Sequence, residues 1–121
     1  PEGVTEIPRD CFKGCTSLEQ VVIPDGIRVI GQNAFDGCTS LKTFRFPSQL
    51  RTIDDCAFMH SGLESFCPTI AEGVKCMIFE KAFAFCENLK TVTLTPGVRL
   101  ACEMSFLSCT NLEEVTFTEE R

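Results

Sequence analysis

Five phenylalanines set the frame of this chain. Phe12, Phe35, Phe58, Phe83 and Phe106 are separated by 23, 23, 25 and 23 residues. Three residues after them stand Cys15, Cys38, Ser61, Cys86 and Cys109. Six residues after four of them stand Leu18, Leu41, Leu89 and Leu112, while the third copy is one residue short and places Leu63 at five. Three past the leucine come Val21, Phe44, Phe66, Val92 and Val115, and two further on come Ile23, Phe46, Pro68, Leu94 and Phe117. Five copies of one unit are present, the first and last cut. A fixed period of about 20 to 29 residues marks a solenoid, because one such unit has too little apolar surface to fold alone and buries it by stacking on its copies.

The local pattern divides each unit. In "LKTFRF" (Leu41 to Phe46) Phe44 and Phe46 alternate with Thr43 and Arg45. Period two means a strand with one face in and one face out. Pro24 and Pro47 then end the strand, since proline cannot donate to a ladder. "LRTI" is a second, shorter extended piece with Leu50 and Ile53 turned inward, matched by Val4 and Ile7, by Ile27 and Ile30, and by Val98. "GQNAFDGC" and "DDCAFMHS" are too short for a full helix and predict one helical turn. Successive strands are expected ~4.8 Å apart. The third unit, "SGLESFCPTIAEGVKCMIFEKAF", lacks the cysteine, puts Pro68 at a core position and inserts residues around Ala71 to Cys76. It predicts a bulge or kink.

From Leu18 to Leu41 the chain reads "LxxVxIPxxIxxIGxxAFxxCxxL", with Pro24, Ile27, Ile30, Ala34, Phe35, Cys38 and Leu41 in phase. This resembles the BspA-like leucine-rich repeat family, and the resemblance covers essentially the whole chain. It implies a recognition module, often on the surfaces of bacteria and unicellular eukaryotes, and no catalytic residues. The expected fold is α/β to mainly β: a single leucine-rich repeat solenoid over residues 1–121, with parallel stacked short strands joined by single helical turns. The start at Pro1 suggests an excerpt of a longer array.

Composition narrows the partner. The net charge is −6, which argues against nucleic acid, whose phosphates need a clustered basic surface. No apolar run approaches the ~18 residues of a membrane span, so no membrane insertion is expected. Eleven phenylalanines with no tyrosine or tryptophan read as core filler, since Phe has no polar handle.

The nine cysteines cannot all pair internally. Cys15, Cys38, Cys86 and Cys109 fall on one inward rung, and a thiol packs well in a core. Disulfides along the column are the sharper alternative: the coil spacing suits them, but parallel side chains suit the S–S torsion poorly and Ser61 interrupts the column. Zinc needs converging ligands, usually as CxxC pairs, and no CxxC occurs. Cys11 and Cys15 are four apart, as are Cys56 and His60. The latter pair could join a nucleophile to a base or form half a metal site, but His60 is the only histidine and no third orienting group is evident. Cys67 is expected on the outward side of its strand as an exposed thiol.

No catalytic, cofactor or metal site emerges. There is no GxGxxG, and one histidine does not make a triad. The outward strand residues form the candidate partner-binding face: Gln20, Val22, Thr43, Arg45, Ser65, Cys67, Thr91, Thr93, Glu114 and Thr116, with Arg45 as polar anchor. Threonine is also simply a good strand former. A second candidate is a basic stripe of Arg28, Arg51 and Arg99, with Lys75 near register and Asp25, Asp54, Asp55 and Glu103 available to compensate it.

The chain therefore reads as a non-catalytic module binding a protein through its strand face. The alternatives are a spacer or subunit contacting further repeats or another chain through its ends, with Glu119, Glu120 and Arg121 as a weak polar cap, or a segment of a surface adhesin. No N-x-S/T sequon occurs, and buried unpaired thiols are hazardous in an oxidising space, so a reducing compartment is slightly favoured over the cell surface.

Overall fold

The turn around each phenylalanine decides how the chain closes into a coil. The protein is described here from a computed structural model over residues 4–101 and 104–117. The backbone is left-handed two residues before an anchor, at Asp10, Asn33, Cys56 and Lys81, and again two residues after it, at Gly14, Gly37, His60, Phe85 and Ser108. A right-handed helical turn cannot contain left-handed residues four apart. The expected helical turns are accordingly runs of tight turns, and no helix occurs among the described residues.

This alternation gives every second amide to the next coil. Asn33, Phe35 and Gly37 donate to the carbonyls of Asp55, Ala57 and Met59 at 3.1, 2.7 and 2.8 Å. Cys56, Phe58 and His60 repeat the pattern to Glu80, Ala82 and Ala84. The intervening amides bond locally, as in Ala34 to Gly31 and Cys38 to Phe35. Asn, Asp and Gly accept left-handed geometry readily. Cys56, Lys81 and Phe85 do so at a cost of ~1–2 kcal/mol each, offset by the inter-coil hydrogen bonds they donate or flank.

Two parallel sheets line the other sides. The strands are β1 (Glu6–Ile7), β2 (Val29–Ile30), β3 (Thr52–Ile53), β4 (Ser65–Phe66), β5 (Cys76–Ile78), β6 (Thr91–Leu94), β7 (Val98–Leu100) and β8 (Glu114–Phe117). One sheet runs β1-β2-β3-β5-β7, and the other β4-β6-β8. The ranking of the two extended pieces is thus reversed from expectation. The shorter "LRTI" piece builds the five-stranded sheet, whereas the longer piece pairs only in the last three coils. Residues 41–46, expected as a strand, enter no ladder, and neither do residues 18–23, although exposed and inward side chains alternate over 43–46 and 20–23. The second coil carries two phenylalanines, Phe44 and Phe46, where the first has Val21 and Ile23. Such a mismatch in inward volume opposes close backbone approach.

The core is a set of columns. In the five-stranded sheet Ile7, Ile30, Ile53 and Ile78 stack in register, all buried. Beside them the anchor rings of Phe12, Phe35, Phe58, Phe83 and Phe106 form one continuous stack. Their centroids are 5.2, 5.0, 5.3 and 5.2 Å apart, with planes within 12° of parallel. Phe44, Phe46 and Phe66 pack against this stack, Phe44 and Phe46 edge-on to Phe58 and Phe66 tilted 48° to Phe83.

The cysteine column does more than pack. The thiols of Cys38, Cys86 and Cys109 each lie 3.1 Å from the carbonyl oxygen of the anchor in the preceding coil, Phe12, Phe58 and Phe83. A thiol three residues after one phenylalanine thereby ties that coil to the previous one. Cys38 and Cys86 are buried as expected, Cys109 is half-buried, and Cys15, in the first coil, is exposed. At Ser61 the shorter side chain meets the Cys86 sulfur at 3.4 Å instead. No disulfide joins the described cysteines.

The irregular third coil bulges and does not kink. Pairing continues from Thr52 and Ile53 to Met77 and Ile78 across it, so residues 69–74 loop outward. Pro68 is buried, and its carbonyl accepts a bond from the Thr95 hydroxyl at 3.1 Å. The compensating one-residue deletion falls at Gly62, where a Cβ would collide with the Thr39 carbonyl; only glycine permits that approach. Glu103, Glu119, Glu120 and Arg121, invoked above, lie outside the described residues, as does the ninth cysteine, Cys102.

Two substitutions test the columns. Phe58→Ala removes the central ring and is expected to cost ~3–5 kcal/mol. Ser61→Cys supplies a thiol able to reach the Phe35 carbonyl and is expected to gain ~1 kcal/mol. Urea unfolding monitored by circular dichroism reads both, and a Ser61→Cys midpoint below that of the parent would contradict the inter-coil role of the thiol.

Candidate functional site

The outward strand residues share one surface, as alternation requires. Gln20, Val22, Thr43, Arg45, Ser65, Cys67, Thr91, Glu114 and Thr116 are all exposed, and Thr93 is half-buried. In the paired part, Ser65 lies beside Thr91 and Thr91 beside Glu114, with Thr93 beside Thr116. Val22 is 94% exposed, far beyond what a strand residue needs for packing. The Arg45 side chain makes no ion pair or hydrogen bond among the described residues. It stands between the half-buried ring of Phe44 and the buried ring of Phe46.

Three depressions adjoin this surface. One of 330 Å³ is lined by Gln20, Val21, Val22, Thr43, Phe44 and Arg45. A second, of 290 Å³, is bordered by Asp25, Phe44, Arg45, Phe46, Cys67 and Thr69. The largest, about 510 Å³, lies between the inserted loop, from Cys67 to Lys75, and Thr95, Pro96, Gly97 and Arg99 of the next coil. The sequence pattern flagged the insertion as an irregularity, but not the cleft it builds. The signal was the three extra residues between Leu63 and Ile78 relative to Leu18 and Ile30.

The basic stripe divides. Arg28 and Arg51 occupy consecutive positions, the Arg51 amide bonding the Arg28 carbonyl at 2.7 Å. Arg99 pairs with Met77, in the row of Val29 and Thr52, one residue away from that of Arg28 and Arg51. The structure therefore groups Arg99 with Lys75 at the large cleft and leaves Arg28 and Arg51 as a separate pair.

The Cys56 and His60 pairing is not built. His60 instead lies 3.6 Å from the Asp36 carboxylate and stacks on Phe85 at 5.0 Å. Burial and the nearby Asp36 push the Cys56 thiol up, the opposite of an activated nucleophile. No group of three metal-ligating side chains converges among the described residues. Among the described residues no helix is long and apolar enough to cross a membrane.

The comparisons agree with this geometry. The BspA type leucine rich repeat region matches residues 5–121 in six copies. The chain belongs to that family. A leucine rich cell surface protein from Faecalibacterium prausnitzii A2-165 superposes with a TM-score of 0.86 at 31% identity, over 100% of this chain and 31% of that one. The T. pallidum leucine rich repeat protein gives 0.82 at 32% identity, over 95% and 54%. A leucine-rich repeat protein from Bacteroides ovatus ATCC 8483 gives 0.70 at 30%, over 97% and 36%. The chain thus spans between about a third and about half of these relatives. No curated protein matches it. Repeats of this family are protein-interaction or surface-associated modules.

Thiol reactivity tests the placement of the cysteines. Burial, with the Cys15 thiol alongside, pushes Cys38 up to about 11. Burial pushes Cys76 up to about 12, and contact with Cys109 together with burial raises Cys86. The folded protein holds these protons at a pH where the unfolded chain releases them. Their contribution is therefore complete below about pH 9 and disappears as pH rises through 11 to 12. Brief iodoacetamide treatment of the native protein at pH 8 should label Cys11, Cys15 and Cys67, and spare Cys38, Cys76 and Cys86. Labelling of Cys86 at the rate of Cys67 would overturn the buried placement.

Proposed function

We propose that this chain is a non-catalytic segment of a longer leucine-rich repeat array, and that it binds a protein partner through the outward face of its strands. The observation that supports this reading is the exposed row from Gln20 and Val22 to Glu114 and Thr116. Its components come from successive coils, so a partner laid along the solenoid touches all of them at once. Surface location follows the F. prausnitzii neighbour, which is described as a cell surface protein. Thiols without disulfide partners agree with a bacterial or reducing setting for this chain.

A second reading places contact at the solenoid ends. Val115 in β8 is 46% exposed although it points along the inward row, and Phe106 and Leu112 beside it are only half-buried. A further coil or another chain stacked there would cover them.

The two readings separate by mutation. The protein is used as bait on extracts of its own cells and of cells they contact, and captured proteins are quantified. Arg45→Glu with Thr91→Arg is expected to weaken capture at least about tenfold, with folding unchanged, while Lys81→Glu on the turn side has no effect. If Val115→Asp abolishes capture and the strand-face pair does not, the end-stacking reading replaces the first.

A further inference from the structure

Away from the strand face, the turn side of the coils carries a second, shorter ring stack. The second position after each anchor holds Gly14, Gly37, His60, Phe85 and Ser108, and the backbone is left-handed at all five. Glycine meets that geometry without steric cost, whereas a phenylalanine there is an outlier. The rings of His60 and Phe85 nevertheless stack, with centroids 5.0 Å apart and planes within 11° of parallel. His60 is exposed and Phe85 is 37% exposed, and neither belongs to the buried core. Strained residues gather at binding and catalytic sites, and here the strain holds two rings at the surface.

The stack stops at Gly37. Neither Gly37 nor Gly14 before it has a side chain, and a Cβ at Gly14 would meet nothing within 4 Å. The face of His60 turned toward the second coil therefore borders a notch where a third ring would otherwise sit. Asp36 stands beside it. One oxygen, Oδ2, accepts from the Asn33 side-chain amide at 2.8 Å. The other, Oδ1, lies 3.6 Å from His60 Nδ1, too far for a hydrogen bond, and accepts none among the described residues. The Asp36 side chain is only 12% exposed, so this free oxygen is poorly hydrated. Lys13, in the same row one coil back, makes no ion pair with it.

A depression of 210 Å³ adjoins the rings, running from Thr39 past His60 and Phe85 to Glu87 and Asn88. No Lys or Arg borders it, and the Glu87 carboxylate has no partner among the described residues. The volume lies below the ~300–1,000 Å³ of small-molecule sites, so the depression suits a side chain better than a whole metabolite.

We propose that this notch takes an arginine side chain of a partner protein, on a face separate from the strand-face site. The guanidinium lies flat on the open face of His60 and donates to Asp36 Oδ1, while residues flanking the arginine rest in the depression beside Glu87. A guanidinium is planar, stacks on aromatic faces and pairs with a carboxylate through a rigid fork; an ammonium lacks both the plane and the fork. The carboxylates of Asp36 and Glu87 flank the rings and the whole chain carries −6, which favours a cation over an anion or a neutral sugar.

The test selects a displayed library of random twelve-residue peptides on the whole chain and, in parallel, on its His60→Gly variant, and measures the enriched peptides by fluorescence anisotropy. His60→Gly removes the platform, and glycine accepts the φ of 61° more readily than histidine does. The expected result is an arginine in every peptide family confined to the parent chain. Affinity should fall about tenfold for His60→Gly and for Asp36→Asn, and as much when the peptide's arginine becomes lysine or citrulline. Gly37→His should abolish binding, because it fills the notch with a third ring in a conformation that His60 already adopts. Urea midpoints show that the variants fold, and the midpoint of His60→Gly should not fall with its affinity. If every family is common to both chains, or the families confined to the parent lack arginine, the proposal is overturned. Common families that are lost with Arg45→Glu and Thr91→Arg would leave the strand-face reading standing. Neutral glycans whose binding on an array disappears with Gly37→His would put a sugar ring in the notch, and that result also overturns the proposal.

Discussion

The ring stack of Phe12, Phe35, Phe58, Phe83 and Phe106 fixes the pitch of the solenoid. Parallel offset rings are favourable at centroid separations of ~4.5–7 Å, and the ~4.8 Å between hydrogen-bonded strands falls inside that window. Ring contact and backbone ladder therefore ask for the same spacing. The observed 5.0 to 5.3 Å satisfies both. A leucine in the same column would pack but would not impose parallel planes. This is why the anchor tolerates no drift while the stretch from Phe66 to Cys76 gains residues.

The ring column also orients the hydrogen bonds around it. The amides of Phe12, Phe35, Phe58 and Phe83 donate to the next coil; the carbonyls of Phe12, Phe35, Phe58 and Phe106 accept from the residue three positions on, and those of Phe12, Phe58 and Phe83 accept from the following coil's thiol. The first four anchors are thus gripped through the side chain and both main-chain groups. The left-handed residues at the second position on either side turn the neighbouring amides into the same direction. Strain at Cys56, Lys81 and Phe85 persists because surrounding contacts over-determine the backbone there.

The columns were legible because each is one residue type at one phase: the ring, the thiol, the leucine and the inward strand pairs. The turn was misjudged as helical because "GQNAFDGC" has helical length, although Asn33 and Gly37 at two before and two after the ring already spell out left-handed geometry. Later coils hide that signal behind Cys56, His60, Lys81 and Phe85, which show no preference for it strong enough to notice. Strand pairing was legible as periodicity but not as hydrogen bonding. Alternation tells which side chains point inward, while the volume of Phe44 and Phe46 decides whether the backbones can meet. The one-row offset of Arg99 arises between β7 and its anchor, six residues from Leu100 to Phe106 where five separate Ile78 from Phe83, and counting from the phenylalanine conceals it.

The same division explains where recognition can be built. A coil whose inward residues serve a shared column cannot vary them without disturbing both neighbours, so its individuality is confined to outward residues and to loops between fixed points. Pairing of β3 with β5 across the insertion shows that the five-stranded sheet holds register while residues 69–74 leave it. The sheet thereby isolates the loop from the core, and the loop can shape a cleft at no cost to the ring stack. Arg45 is the complementary case. It sits on the coil whose inward residues are Phe44 and Phe46 and whose strand enters no ladder, and its exposed guanidinium has no partner among the described residues.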